Sequence, residues 1–343
     1  EQLWAFTRRC DSLGSWRQGR NTIYMNVAPD SIEASNQGLK IAVTAWADTG
    51  GWQAEPLCRQ AEEAEAIGFH SIWLPENHFG DIRSIPSPLT LLAAIAARTK
   101  TIKLGSTSYL LPIRNALQAA AEVAVLDQLS NGRVILGVGR GVQDAMFKAF
   151  ELPTKDKRKR FKSNLDTMIN AWEGNPILAD DEEPIFLAPL PVQKPYPPIW
   201  VAAFGPLALK QAGNLGMPYL ASPVETLETL VANYQHHQQV ALDAGHNHID
   251  TIPIMRTAFI TDNQSLANDV KEALAGGPGH NMRDAEASID EWTIIGDQYY
   301  VKDKVQQYVE KLSMTHLIVR GRMPQVSDKD QLASHEALLR LAG

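Results

Sequence analysis

Eight short, apolar, β-rich segments recur along the chain, and a stretch with helical spacing follows almost every one. The segments are 39–45 (LKIAVTA), 71–75 (SIWLP), 102–107 (IKLGST), 134–138 (VILGV), 199–203 (IWVAA), 218–221 (PYLA), 252–260 (IPIMRTAFI) and 316–320 (HLIVR). Helical periods fill 55–67, 88–98, 114–130, 161–173, 206–215, 226–244, 264–275 and 302–313, with a last helix from about Asp328. A strand reaches a parallel neighbour only through a crossover of this length, so the alternation implies a parallel sheet covered by helices. Eight units point to an α/β chain folded as a (β/α)8 TIM barrel with insertions over residues 39–343. A doubly wound open sheet is the alternative, although it usually stops at five or six strands.

Composition excludes several function classes. The charged residues, 32 basic against 39 acidic, give a net charge of −7 with no basic stripe, which argues against a nucleic-acid partner. No run of 18 apolar residues exists, so no membrane span is expected. Cys10 and Cys58 have neither disulfide-framework nor metal spacing and fit a reducing cytoplasm. His236, His237, His246 and His248 gather near one helix end without a carboxylate pattern and read as a solvated face rather than a metal site. Residues 1–38 mix Trp4, Trp16 and arginines with Ser, Asn and Gly, and contain no apolar signal-peptide core. They are expected to be an appended extension, partly disordered or packed outside, and trimmed or introduced for expression because Glu1 stands first.

Two connections exceed ordinary length, 175–198, which is Pro-rich and acidic with a short hairpin pattern, and 276–297, which opens on glycines. Long loops in compact domains are usually functional or disordered. In a barrel the second would be a lid, hinged at Gly276, Gly277 and Gly279 and mobile over 276–290 without ligand.

Chemistry is concentrated at the C-terminal ends of the expected strands, the rim where barrel enzymes place their sites. After the second strand, LPENHFG brings Glu76, Asn77 and His78 to that rim, and histidine exchanges protons near neutral pH. After the fourth, Gly137-Val138-Gly139-Arg140-Gly141 sets an arginine fork between glycines that allow close backbone approach, an arrangement suited to phosphate. After the fifth, Gly205-Pro206 opens a helix whose free N–H groups also suit an anion, though an ordinary turn reads equally well. Ser106, Thr107 and Ser108 follow the third strand, where a hydroxyl-stabilised bend is the plainer reading. Arg320 ends the eighth strand and either reaches the mouth or pairs with an acid such as Asp297.

In order and spacing, AEAIGFHSIWLPENHF (64–79), KLGSTSYLLP (103–112), AEVAVLDQLSNGR (121–133) with VILGVGRG, RFKSNLDTMINAWEG (160–174), PVQKPYPPIWVAA (191–203) and the ending 294–321 resemble the bacterial luciferase-like flavin monooxygenase superfamily. The resemblance runs from Leu39 to the end and implies a luciferase-like barrel. It implies that Arg140 binds the FMN phosphate, that Val142 is a neighbouring backbone contact, and that Gly205 and Ala208 stand where relatives carry phosphate-binding hydroxyls, after Phe204 at an acidic position. Thr107-Ser108 falls on a non-proline cis peptide beneath the isoalloxazine, with Ala45, Glu76 and Ser106 assigned to the same cofactor site. Gly139 replaces the reactive cysteine of luciferases, which speaks against light emission. The luciferase Glu-His-His-Phe motif reads Glu76-Asn77-His78-Phe79, so Asn77 stands where the luciferase base stands, and His78 is retained. His78 is thus expected to steer a proton and Asn77 to hydrogen-bond flavin or substrate. Trp46, Phe79, Tyr109 and Arg320 are assigned to the substrate.

What the resemblance implies is a cytoplasmic two-component monooxygenase that oxidises a small organic substrate with O2, using reduced FMN from a transient reductase partner. A deazaflavin-dependent oxidoreductase that transfers a hydride is the alternative, and a non-catalytic flavin-binding protein comes third. A homodimer through the Ala- and Leu-rich helices 88–98 and 114–130 is expected, with no metal.

Overall fold

The computed structural model describes residues 38–46, 53–79, 84–178, 183–276 and 287–341. Apart from Gly38, the N-terminal extension lies outside the described residues, and so does 277–286, the greater part of the expected lid.

The strands are β1 (Lys40–Thr44), β2 (Ser71–Leu74), β3 (Lys103–Ser106), β4 (Tyr109–Leu110), β5 (Val134–Gly139), β6 (Ile199–Ala202), β7 (Tyr219–Leu220), β8 (Pro253–Ile260), β9 (Thr293–Gly296) and β10 (His316–Val319). The helices are α1 (Ala54–Ile67), α2 (Pro88–Arg98), α3 (Ala116–Leu129), α4 (Asp144–Ala149), α5 (Lys157–Trp172), α6 (Pro206–Asn214), α7 (Leu227–Asp243), α8 (Gln264–Ala275), α9 (Ile289–Trp292), α10 (Gln298–Leu312) and α11 (Asp328–Leu339). All ladders between these strands are parallel, in the order β7-β6-β5-β3-β2-β1-β10-β8-β9, with β4 on β5. First and last segments meet at β1 and β10, where Lys40 to Val43 register with His316 to Val319. That contact curls the sheet into a TIM-barrel-like α/β fold, whose ladder is left open between β7 and β8. All eight expected strands form; β4 and β9 are additional short strands.

Local sequence explains the element ends. Asn115 caps α3 by accepting from the N–H groups of Leu117 and Gln118, and the helix stops before Asn131 and Gly132, which adopt φ of 53° and 75°. Side-chain alternation divides each strand between two surfaces. One set packs against the helices in the main core. The other fills the barrel axis, where Ala42, Ile135, Met255 and Ile318 surround Trp73 and Trp200, stacked with ring centroids 4.9 Å apart.

The 175–198 connection departs from the expectation of a functional or disordered loop. Gln193 donates its amide to Asp127 at 2.7 Å and to the Val134 carbonyl at 2.9 Å, at the start of β5 and so at the end opposite the mouth. Its hairpin pattern survives as an antiparallel bridge between Leu178 and Ile185. Among the four clustered histidines, His237 is wholly buried with Nε2 2.9 Å from the Met217 carbonyl, so one member belongs to the core and not to a solvated face. No group of three or more metal-ligating side chains occurs among the described residues.

Candidate active site

A cavity of about 510 Å3 opens at the C-terminal ends of the strands, within the range typical of ligand pockets. Gly139, at the end of β5, lines its wall. A Cβ on Gly139 would stand 2.0 Å from Ser108 Oγ, and one on Gly137 would stand 1.9 Å from the Ser106 carbonyl oxygen. These glycines therefore admit the neighbouring β3–β4 segment, and not a ligand as the sequence suggested. The Thr107–Ser108 peptide between those strands is cis, as the resemblance implied, and both residues line the cavity. Gly141 turns with φ +71°, where a Cβ would come within 2.7 Å of Met146 Cε.

At one end of the cavity stand three cations, Arg140, Lys157 and Arg158. Burial, and then the charge of Arg158, push the Arg140 pKa down. No ion pair to any of the three occurs among the described residues. Val142, 78% exposed, continues this wall. After β6, the neighbour of β5, α6 begins at Gly205 and Pro206, and Gly205, Leu207 and Ala208 reach the same cavity. Proline lacks an N–H, and the N–H groups of Ala208 and Leu209 bond back to the Gly205 carbonyl at 2.9 and 3.1 Å. In the first turn, the Leu207 N–H is left to donate outward. The basic run at 155–160, ahead of a helix expected only from residue 161, was the unused signal for Lys157 and Arg158: α5 starts earlier and carries both to the mouth.

The other chemical wall comes from the segment after β2. Glu76 is fully buried and accepts from three donors: His78 Nε2 at 2.6 Å and Arg114 Nη2 on one oxygen, and the Leu110 N–H at 2.9 Å on the other. Because Glu76 acts as acceptor there, the proton of neutral His78 sits on Nε2 and its lone pair on Nδ1. The ring packs edge-on against Phe150, 5.1 Å between centroids. Arg114, which the sequence reading missed, stacks 4.1 Å over the Tyr109 ring and holds Glu76. Asn77 lines the cavity, its Oδ1 accepts from the Ile85 N–H at 2.7 Å, and its amide N–H groups can donate to a ligand.

Not every expected residue converges. Glu76, Asn77, His78, Thr107, Ser108, Arg140, Val142, Gly205 and Ala208 are brought to one cavity, and six are not among its lining residues. Ser106 is buried and donates to the Gly137 carbonyl at 2.9 Å, while Ala45 joins Trp73 through a backbone bond. Trp46 is buried against His335, 4.8 Å between ring centroids, and Tyr109 is buried with its hydroxyl on Glu122. Phe79 is 54% exposed and tilted toward Phe150. Arg320 follows β10 and is not paired with Asp297, which instead caps α10 by accepting from the Tyr300 N–H.

The fit of a flavin nucleotide rests on those same features. The three cations, without an ion pair among the described residues, and the Leu207 N–H suit a phosphate, and the Thr107–Ser108 segment that the β5 glycines admit forms part of the cavity wall. With no hydroxyl at Gly205 or Ala208, the cations carry more of the phosphate contact than the hydroxyl pattern implied.

A family model described as luciferase-like monooxygenase matches residues 39–316. The chain is 28% identical over 222 residues to the flavin-dependent trigonelline monooxygenase, oxygenase component, of Acinetobacter baylyi, covering 62% of this chain and 59% of that protein. It is 26% identical over 317 residues to the F420-dependent glucose-6-phosphate dehydrogenase of Amycolatopsis mediterranei, covering 82% and 92% of the two chains. Among solved structures, the oxygenating constituent of 3,6-diketocamphane monooxygenase from the CAM plasmid of Pseudomonas putida, in complex with FMN, is similar in fold, with TM-score 0.73, 18% identity, and 89% and 97% of the chains covered. The matches to the first three curated relatives span 57%, 56% and 59% of their lengths.

Proposed function

This chain belongs to the luciferase-like monooxygenase family, and from that premise we propose that it is the FMN-dependent oxygenase of a two-component system. The observation that carries the reading is one cavity that has at one end cations with no ion pair among the described residues, and on its wall a buried His78–Glu76 pair. Arg140, Arg158, Lys157 and the Leu207 N–H would hold the phosphate, and the Thr107–Ser108 segment would support the ring. Reduced FMN, when bound, supplies the two electrons that let one atom of O2 enter the substrate while the other leaves as water. The chain's own part is positional and acid–base. Glu76 fixes His78 with Nδ1 free to accept a proton, and the Asn77 amide donates a hydrogen bond to flavin or substrate. The similarity to a flavin-dependent oxygenase component supports FMN and a separate reductase. A deazaflavin-dependent hydride transfer is the second reading, supported by a relative that matches over 92% of its length.

Titrating the full chain with FMN and with the deazaflavin separates the two, because the reading requires tighter FMN binding. His78→Ala should then slow oxygen-coupled turnover by roughly 100-fold, within the span of a general acid–base contribution, while FMN affinity stays near the parent value. Parent-level turnover by that variant would make His78 structural and remove the proton role.

A further inference from the structure

Across the barrel from Arg140, the last strands carry two polar side chains that nothing among the described residues engages. β5 and β10 are separated by β3, β2 and β1, which sets Arg140 and Arg320 on different sides of the mouth. Ile318 and Met255 are register partners on β10 and β8, both face the barrel axis, and Met255 lines the cavity. Side chains two residues apart on a strand share a face, so Thr257 and Arg320 rise from the axis one layer above that pair. The ladder reaches that far, since the Arg320 N–H donates to the Arg256 carbonyl at 2.8 Å.

Thr257 is 1% exposed, and its hydroxyl has no hydrogen-bond partner. Arg320 is half-buried, burial pushes its pKa down, and no described carboxylate meets its guanidinium. Asp297 is committed to the α10 cap. A buried, unmatched hydroxyl is costly to the folded chain, and a withdrawn cation without a counterion is costlier still. Two such groups side by side are completed by a ligand that accepts from both.

We propose that Arg320 and Thr257, which stand one layer beyond Met255 and outside the cavity's lining, bind the carboxylate of an organic-acid substrate whose apolar remainder lies over Met255 and Leu220, which do line it. The guanidinium fork matches a planar carboxylate through two parallel bonds, and the Thr257 hydroxyl donates a third. This substrate class rests on the barrel mouth being the active site.

The test is calorimetric titration of the full chain with benzoate and hexanoate, with benzamide and hexanamide, and with benzenesulfonate and phenylphosphonate. The same titrations follow on Arg320→Ala, Arg320→Lys and Thr257→Val, with FMN affinity measured separately for each. Carboxylates should bind at least about tenfold more tightly than their amides, a difference of about 1.4 kcal/mol. Arg320→Ala should erase that preference, Arg320→Lys should keep part of it, Thr257→Val should weaken it several-fold, and FMN affinity should hold. The proposal is overturned if neither carboxylate binds at millimolar concentration, or if amides bind equally well. It is also overturned if the sulfonate or phosphonate binds more tightly than benzoate, or if a folded Arg320→Ala retains the preference. Should the parent chain fail to bind FMN yet keep the carboxylate preference, the flavin reading falls and this one stands.

Discussion

Replacing Arg140 by alanine should produce effects on affinity and on stability that differ in size. In the ligand-free protein the guanidinium is withdrawn from water and repelled by Arg158, with no described carboxylate to offset either. Its removal relieves both penalties and loses the packing of its methylene stem, at about 0.8 kcal/mol per buried CH2. The two nearly cancel, so the ligand-free protein should keep its stability within about 1 kcal/mol, the ordinary range for a substitution that opens no sealed cavity. The phosphate complex loses a charge-assisted hydrogen bond of about 1.5–3 kcal/mol. The upper half of that range is expected, because Pro206 has no N–H, Ala208 and Leu209 donate back to Gly205, and no side-chain hydroxyl stands at Gly205 or Ala208. Converted, FMN affinity should fall by roughly 45- to 160-fold, with binding still measurable through Arg158 and Lys157. Calorimetric titration reads the affinity, and melting with and without FMN reads the linked stabilisation, which shrinks by the same free energy at saturating ligand. An unchanged affinity in a folded variant refutes the phosphate assignment. A loss of several kcal/mol in the ligand-free protein would instead make Arg140 a structural residue.

Acid should destabilise the fold through buried histidines: burial holds His70 and His335 down to about 4 and His316 to about 3. Because these folded values lie below the unfolded value of about 6.5, the unfolded chain binds protons first, so stability is complete above that pH and is lost as pH falls toward 4. For wholly buried His335 the loss is on the order of 3 kcal/mol, and His335→Phe should flatten the denaturation midpoint against pH; an unchanged slope would exonerate it. Assembly is a separate matter: on α3, Val125 and Leu129 are 43% and 61% exposed, and we propose that they meet a second copy in a homodimer through α2 and α3. Scattering should report a dimer at micromolar concentration that Leu129→Lys weakens; a monomeric parent would remove the interface.

The order of strands and helices was legible in the sequence, because burial on both faces makes parallel strands continuous apolar runs, and amphipathic helices mark their own period. The Glu76-to-His78 segment, Arg140 and Gly205 were legible for a related reason: a barrel gathers whatever follows its strands at one end, so position in the repeat already implies the mouth. Contacts made across the chain were not legible. Lys157 and Arg158 were not singled out, because only the early start of α5 and its packing bring them to the cavity. Arg114 shows no local pattern linking it to Glu76, 38 residues away. Trp46 and Tyr109 looked like substrate lining because aromatic rings serve pockets and cores alike, and only their packing partners, His335 and Glu122, assign them to the core. Gly137 and Gly139 read as room for a ligand, whereas the space they leave is filled by Ser106 and Ser108 of the neighbouring segment. A sequence carries the periodicity that chooses the fold; which side chains share a cavity is decided by distances between segments far apart in the chain, and those exist only once the sheet has curled.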